Sequence, residues 1–325
     1  MRCKSFVLVT CFFLCGLTTN IGFAADYPTQ PIEAITPYAP GGSSDGLNRI
    51  WGEIASKQLG QPVIAICRPG AGGSVAAAEV ISSKPDGYKI VQLGNIFFAT
   101  TTKTQKIPFN PNDLVPVVNL MEYRFAFSVR SDSPFKTFNE LLDYGRTHPG
   151  ELKWSSTPRG TSIHLMGLMI FKKAGVKVIE VPYKGGGPEQ VIAMLGGHVD
   201  FSVSNYGPFS EHARAGKIRF LAVLSEHRWR DLPDVPTIAE LGYPEVLRLS
   251  TYVGYYVHKN TPDHIRKKLF DVSKKVFDDP KFTKTIEEMG EQPRFGGPEW
   301  MKEAIRQAEE AGVPMLKELG LYVKQ

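Results

Sequence analysis

The chain has 325 residues, 42% of them hydrophobic, with 38 basic and 33 acidic side chains and a formal net charge of +5. That length and apolar content supply core for two domains. The mild charge, with no basic stripe interleaved with aromatics, excludes the nucleic-acid binders, although it would help draw an anionic ligand.

The elements begin with a leader. Arg2 and Lys4 precede an apolar run from Phe6 to Leu17, and Gly22-Phe23-Ala24 offers small residues where signal peptidase reads. We expect a secretory signal peptide over residues 1–24, because the run is shorter than the ~20 residues of a membrane span. Its removal takes away Arg2 and Lys4, lowering the charge from +5 to +3. It also removes Cys3, Cys11 and Cys15, so only Cys67 of the 4 cysteines remains and no intrachain disulfide can form. Cys67 reads as a small buried hydrophobe rather than a reactive thiol.

Ile32 to Tyr38 reads as a strand running into Ala39-Pro40-Gly41-Gly42-Ser43-Ser44-Asp45. Leu47, Ile50, Trp51 and Ile54 then recur at helical spacing. Val63 to Ile66 is the next strand, closed by Arg68-Pro69-Gly70-Ala71-Gly72-Gly73 and followed by a helix to about Ser83. Ile90 to Leu93 is a third strand. The pattern restarts after Tyr123, with a strand from Phe125 to Val129 and a helix from Phe138 to Tyr144. Lys153-Trp154-Ser155 enters a second turn, Ser156-Thr157-Pro158-Arg159-Gly160-Thr161-Ser162-Ile163-His164. Val178 to Tyr183 is a strand, followed by Lys184-Gly185-Gly186-Gly187-Pro188 and a helix through Leu195. Further strands are expected at Val199–Val203, Phe220–Leu224 and Tyr252–Val257, with an irregular loop over Asp231–Thr237. The tail is helical, with Ile265, Leu269, Val272 and Val276 on one apolar face and Met301, Ile305 and Ala308 on another.

Strands alternating with helices predict an α/β fold with parallel units. No Pro/Ser-rich linker separates the halves, so the chain should cross between two lobes more than once. Lobe 1 is expected over 25–124 plus 246–325, and lobe 2 over 125–245.

Catalytic signatures are missing. There is no Walker loop and no complete dinucleotide fingerprint. The 7 histidines show no close pair at metal-ligand spacing. The expectation is a binding protein, not an enzyme, with no cofactor and no metal. The two glycine-bearing turns carry the function instead. Each presents backbone N–H groups and hydroxyls at a helix N-terminus, whose partial positive charge suits an anion. Two such turns facing each other would clamp a small carboxylate. The candidate ligand residues are Tyr38 (as an aromatic wall), Gly42, Ser43, Ser44, Asp45, Gly72, Asn95, Ser156, Thr161, Ser162, His164, Tyr183 and Asn205. Competing roles remain open: Thr161 and Ser162 would also serve as helix caps, and His164 would also serve as a packed core histidine.

Several segments together resemble one family, the tripartite tricarboxylate transporter receptors or Bug proteins. They are Pro40 to Asp45, Arg68 to Gly73, Pro85-Asp86-Gly87-Tyr88, Gly160-Thr161 with His164, Val181 to Gly186, Gly196-Gly197-His198-Val199-Asp200, and Leu232 to Thr237 with Glu240 to Tyr243. The resemblance implies a periplasmic receptor with a two-lobed Venus-flytrap fold. It would deliver an organic anion to a membrane permease with a large and a small subunit, acting as a monomer. In the family the two turns grip a carboxylate, which points to Ser43, Ser44 and Asp45 and to Thr161, Ser162 and His164. Asp45 is expected to fix its loop or hold water rather than touch the anion. The chain departs from the family's pattern at Ile66-Cys67, where Glu-Asn is common, and at Asn48, where alanine usually precedes the arginine. A signalling receptor, or a binder of an amino acid or aromatic acid, is the alternative.

Overall fold

The computed structural model describes residues 27–183 and 187–324. The expected leader, and Lys184, Gly185 and Gly186 of the third glycine turn, lie outside the described residues.

In chain order the first half reads β1 (Ile32–Thr36), α1 (Ser43–Leu59), β2 (Val63–Cys67), α2 (Ser74–Ile81), β3 (Lys89–Gly94), α3 (Asn95–Ala99) and β4 (Leu114–Glu122). The chain then runs through β5 (Phe125–Arg130), α4 (Phe138–Thr147), β6 (Lys153–Ser156), α5 (Ser162–Ala174), β7 (Ile179–Pro182), α6 (Gly187–Leu195), β8 (Phe201–Asn205), α7 (Tyr206–Arg214) and β9 (Ile218–Val223). It closes with β10 (Tyr252–His258), α8 (Asp263–Phe277), α9 (Pro280–Glu288), β11 (Gln292–Gly296) and α10 (Pro298–Glu318).

Two sheets result. One is ordered β11-β4-β10-β3-β1-β2 and the other β7-β6-β8-β5-β9. The chain passes from the first sheet to the second through Tyr123-Arg124 and returns through 224–251. The two-lobed α/β architecture expected of the sequence is therefore present.

The apolar periodicities end up where burial needs them. Leu47, Ile50, Trp51 and Ile54 of α1 are all buried against one face of the first sheet, with Ile265, Leu269, Val272 and Val276 of α8 beside them. Trp51 stacks obliquely on Tyr255 of β10, ring centroids 4.3 Å apart, and donates its indole N–H to Ser273. Full burial of each such side chain contributes roughly 1.5–3 kcal/mol. The core of the second sheet draws in Ile96 and Ala99 of α3 and Ala308 and Leu316 of α10. The last helix therefore packs against both lobes.

Strand β4 carries no clear signal in the sequence. Pro116 and Asn119 interrupt its apolar run, and proline inside a run argues against a central strand. The sheet accommodates it with an irregularity, since the register of β10 against β4 shifts between Tyr255 and Tyr256, the latter facing Pro116. Strand β11, with Pro293 and Arg294 in only five residues, has no apolar alternation to read.

Strand direction, more than strand order, determines where a ligand could sit. β1, β2 and β3 are parallel, and β10 runs antiparallel to β3. The carboxyl ends of β1 to β3 thus lie beside the start of β10, at the edge where the chain crosses over. In the second sheet Phe125, the first residue of β5, pairs with Asn205, the last of β8, and β6 and β7 run parallel to β8. Both sheets therefore meet through the carboxyl ends of their parallel strands, the edge where open α/β sheets bind ligands.

Candidate functional site

The first glycine turn leaves β1 and enters α1. Gly41 has φ +92°, a conformation that favours glycine, and Gly42 is the N-cap residue. Gly42 has no side chain, so nothing caps the first-turn N–H groups. Asp45 lies in that first turn and is almost fully buried. It accepts from the Gly41 N–H at 3.0 Å and from Arg49 Nε at 2.9 Å, and Cys67 Sγ lies 3.5 Å from its other oxygen. Burial alone would raise its pKa, but the Arg49 guanidinium and the Gly41 N–H hold it below the usual carboxylate range. Asp45 thus ties the loop down through its own backbone and its own helix.

The second turn leaves β6 and enters α5. Gly160 has φ +86°. Thr161 is the N-cap residue, yet its hydroxyl does not cap the helix and instead meets the Pro158 carbonyl at 2.9 Å and Thr157 Oγ1 at 2.6 Å. His164 is fully buried. Its Nδ1 accepts from the Gly160 N–H at 3.4 Å, which leaves the proton on Nε2, 3.1 Å from Glu180 Oε1. Burial lowers the His164 pKa, with the charge of Arg159 adding to the effect and Glu180 opposing it. Ser156 is also fully buried and donates to Glu180 Oε1 at 2.9 Å. The side chains of His164 and Ser156 therefore brace the turn from within.

Each turn also grips a crossover strand. Ser44 Oγ lies 2.8 Å from the Tyr123 hydroxyl, and Ser162 Oγ lies 2.8 Å from Thr251 Oγ1. The Tyr123 N–H donates to the Thr251 carbonyl at 2.9 Å. A continuous run of hydrogen bonds thus links the start of α1 to the start of α5 through both connections between the lobes. Ser43 donates to Glu291 Oε1 at 2.9 Å, and Glu291 Oε2 accepts from the Arg124 N–H at 3.0 Å. Burial pushes the Glu291 carboxyl up to about 8. The turn before Glu291 also touches lobe 2, for a Cβ on Gly207 at the start of α7 would meet the Met289 carbonyl oxygen at 2.9 Å.

The other candidates fall into two groups. Tyr38 stands half exposed, and Gly72 is exposed in a turn before α2 with φ +61°. Tyr183 and Asn205 are half-buried at the carboxyl ends of β7 and β8, and the Asn205 side chain does not cap α7. Asn95 is fully buried, its amide donating to the Ser250 carbonyl and accepting from the Tyr252 N–H. It fastens the β3–α3 junction to the return crossover.

Helix starts distinguish this region electrostatically. Helix α4 carries a capping box on Thr137, and α9 is capped by Asp279. Helices α6, α8 and α10 have Glu189, Asp263 and Glu299 in their first turns. Helices α2, α5 and α7, which leave strand ends at the interlobe edge, have neither a side-chain cap nor a first-turn acid. The first-turn acid of α1 is Asp45, already committed to Gly41 and Arg49. Positive helix ends are left uncompensated between the lobes, and there they favour an anion. Among the described residues no cluster of three His, Cys, Asp or Glu side chains could hold a metal ion.

Sequence reasoning missed Tyr123, Thr251, Glu180 and Glu291. None sits in either of the two strand-to-helix glycine turns, and Glu291 reaches Ser43 across 248 residues of chain.

A family model described as the tripartite tricarboxylate transporter family receptor matches residues 47–321. The "UPF0065 protein in gbd 5'region" of Cupriavidus necator is 34% identical over 321 residues, covering 96% of this chain and 97% of that protein. A solved R. palustris protein with adipate has a TM-score of 0.78 at 26% identity, covering 91% of this chain and 99% of that one. MatC from Rhodopseudomonas palustris with bound malate has a TM-score of 0.70 at 25% identity, covering 88% and 99%.

Proposed function

The chain belongs to the tripartite tricarboxylate transporter family of receptors, and from that premise we propose that it captures a small organic carboxylate between its lobes for uptake. The observation that carries this reading is the set of uncapped, acid-free helix starts on both lobes at the interlobe edge. A dicarboxylate suits it best, because each lobe offers one turn, at Ser43-Ser44 and at Thr161-Ser162, to one anionic end. Each helix N-terminus contributes roughly 0.3–1 kcal/mol, more where water is excluded. Burying the charge requires hydrogen bonds, which the first-turn N–H groups would donate. The solved relatives with adipate and malate support the class.

On this reading lobe 1 comprises 25–124 plus 246–325 and lobe 2 125–245. The mature receptor is a periplasmic monomer that binds without turnover and hands its ligand to a permease with large and small subunits. Tyr38 forms the aromatic wall beside the ligand, and lobe 2 closes by a hinge at Tyr123-Arg124 and Thr251.

The test is a thermal-shift screen of residues 25–325 against mono-, di- and tricarboxylates, amino acids and neutral sugars. A ligand at about 100 times its Kd adds about 2.7 kcal/mol of stability, a shift of several degrees. A hit among dicarboxylates supports the reading. Silence across carboxylates with a hit on a sugar refutes it.

A further inference from the structure

A cavity of about 610 Å³ opens beside the hinge. Neither glycine turn lines it: Tyr38, Ser43, Ser44, Thr161 and Ser162 are all absent from its walls. Those walls come from both lobes: Phe277, Glu287 and Pro293 from lobe 1, Trp229 and Arg230 from lobe 2, and Arg124 from the crossover between them. A volume of this size falls within the roughly 300–1,000 Å³ range of small-molecule sites.

Its walls carry arginines and aromatic rings. Arg124 and Trp229 are 7% and 6% exposed, and the Arg124 Nε–H and the Trp229 indole N–H are both buried without an acceptor. The Arg124 guanidinium lies between the Tyr206 and Trp229 rings, 4.1 and 3.9 Å from their centroids. Its terminal nitrogens are spent on Asp231, which also takes the Tyr206 hydroxyl. Arg228 is paired with Glu240. Arg230 is exposed and makes no ion pair among the described residues. Of the acids that line the cavity, Asp231 is held by Arg124 and Tyr206 and Glu291 by Ser43 and the Arg124 N–H, and Glu287 of α9 is the third.

We propose that this cavity is a second small-molecule site, separate from the interlobe cleft, that takes a planar aromatic monocarboxylate. Arg230 binds the carboxylate, and the Trp229 and Phe277 rings hold the aromatic body. Glu287 among the walls disfavours a second anionic end on the ligand. Because the walls belong to both lobes, occupancy depends on the lobe angle. Ligand here and ligand in the cleft are therefore coupled, reciprocally. Glu291 joins the two places, since it lines this cavity while holding Ser43 of the first turn.

The test uses residues 25–325 and 4-fluorobenzoate, followed by fluorine NMR. The expected result is a bound resonance that Arg230→Glu weakens by about tenfold or more in affinity, that Arg230→Lys largely retains, and that Trp229→Leu shifts through loss of the ring current. Arg230 is exposed, so its variants keep the fold, which an unchanged melting curve verifies. No bound resonance at millimolar probe, or one indifferent to Arg230→Glu, overturns the proposal. Neither outcome bears on the cleft, which the dicarboxylate screen judges alone.

Discussion

Glu291 offers a sharp test of how the first turn is held. Its carboxyl is 2% exposed and accepts from Ser43 and from the Arg124 N–H. Burial raises its pKa from 4.5 to about 8. Between those values the folded protein keeps a proton that the unfolded chain has released. The unfolded state then binds fewer protons, so stability falls as pH rises through this window. The slope from this one group is about 1.4 kcal/mol per pH unit, and the whole penalty about 3–5 kcal/mol once pH exceeds the folded value. Glu291→Gln removes the charge while keeping the shape: its carbonyl accepts from Arg124 N–H and its amide donates to Ser43. Urea unfolding of both proteins from about pH 5 to pH 9 should give similar midpoints at the acid end and an increasingly more stable variant at the alkaline end. Glu122, raised to about 7 mainly by burial, tilts both curves alike and cancels in the difference. Parallel stability curves for the two proteins would refute the argument that Glu291 is buried uncompensated.

Three further outcomes are expected. Asp45→Ala strips the acceptor from the Gly41 N–H and Arg49 and should cost about 1.5–3 kcal/mol of stability, read by urea midpoint; an unchanged midpoint would show that the turn holds itself. Tyr123→Phe leaves the buried Ser44 hydroxyl short of its partner and should cost about 1–3 kcal/mol; repeating the change in a Ser44→Ala background should recover much of it, and additive losses would mean the two groups are not coupled. Gly207→Ala places a Cβ 2.9 Å from the Met289 carbonyl oxygen and should destabilise the contact between lobes by about 1–3 kcal/mol, visible as a lower Tm; no change would mean the 289–290 turn retreats freely.

Local pattern makes part of this molecule legible in its sequence. Helix α1 can be read because Leu47, Ile50, Trp51 and Ile54 share one face, and both glycine turns because glycine marks backbone that other residues avoid. Asp45 is readable as a loop fastener from charge logic alone. What stays hidden depends on pairing across the chain. Strand β4 hides behind Pro116, whose missing N–H is absorbed by an irregular register with β10. Glu291 looks like any surface glutamate until the fold seals it against Ser43 and Arg124. His164 can be read two ways because only the structure shows its ring bracing Gly160 from the core side.

The last helix bears on the order in which the molecule comes together. Strand β4 lies between β10 and β11, both contributed by the far end of the chain. The core of the second sheet, whose strands are contiguous in sequence, is still completed by Ala308 and Leu316 of α10. Neither lobe can therefore finish packing on a ribosome until the C-terminus has emerged. Such non-local closure slows folding and keeps apolar faces uncovered for longer. Truncating α10 should consequently impair both lobes together.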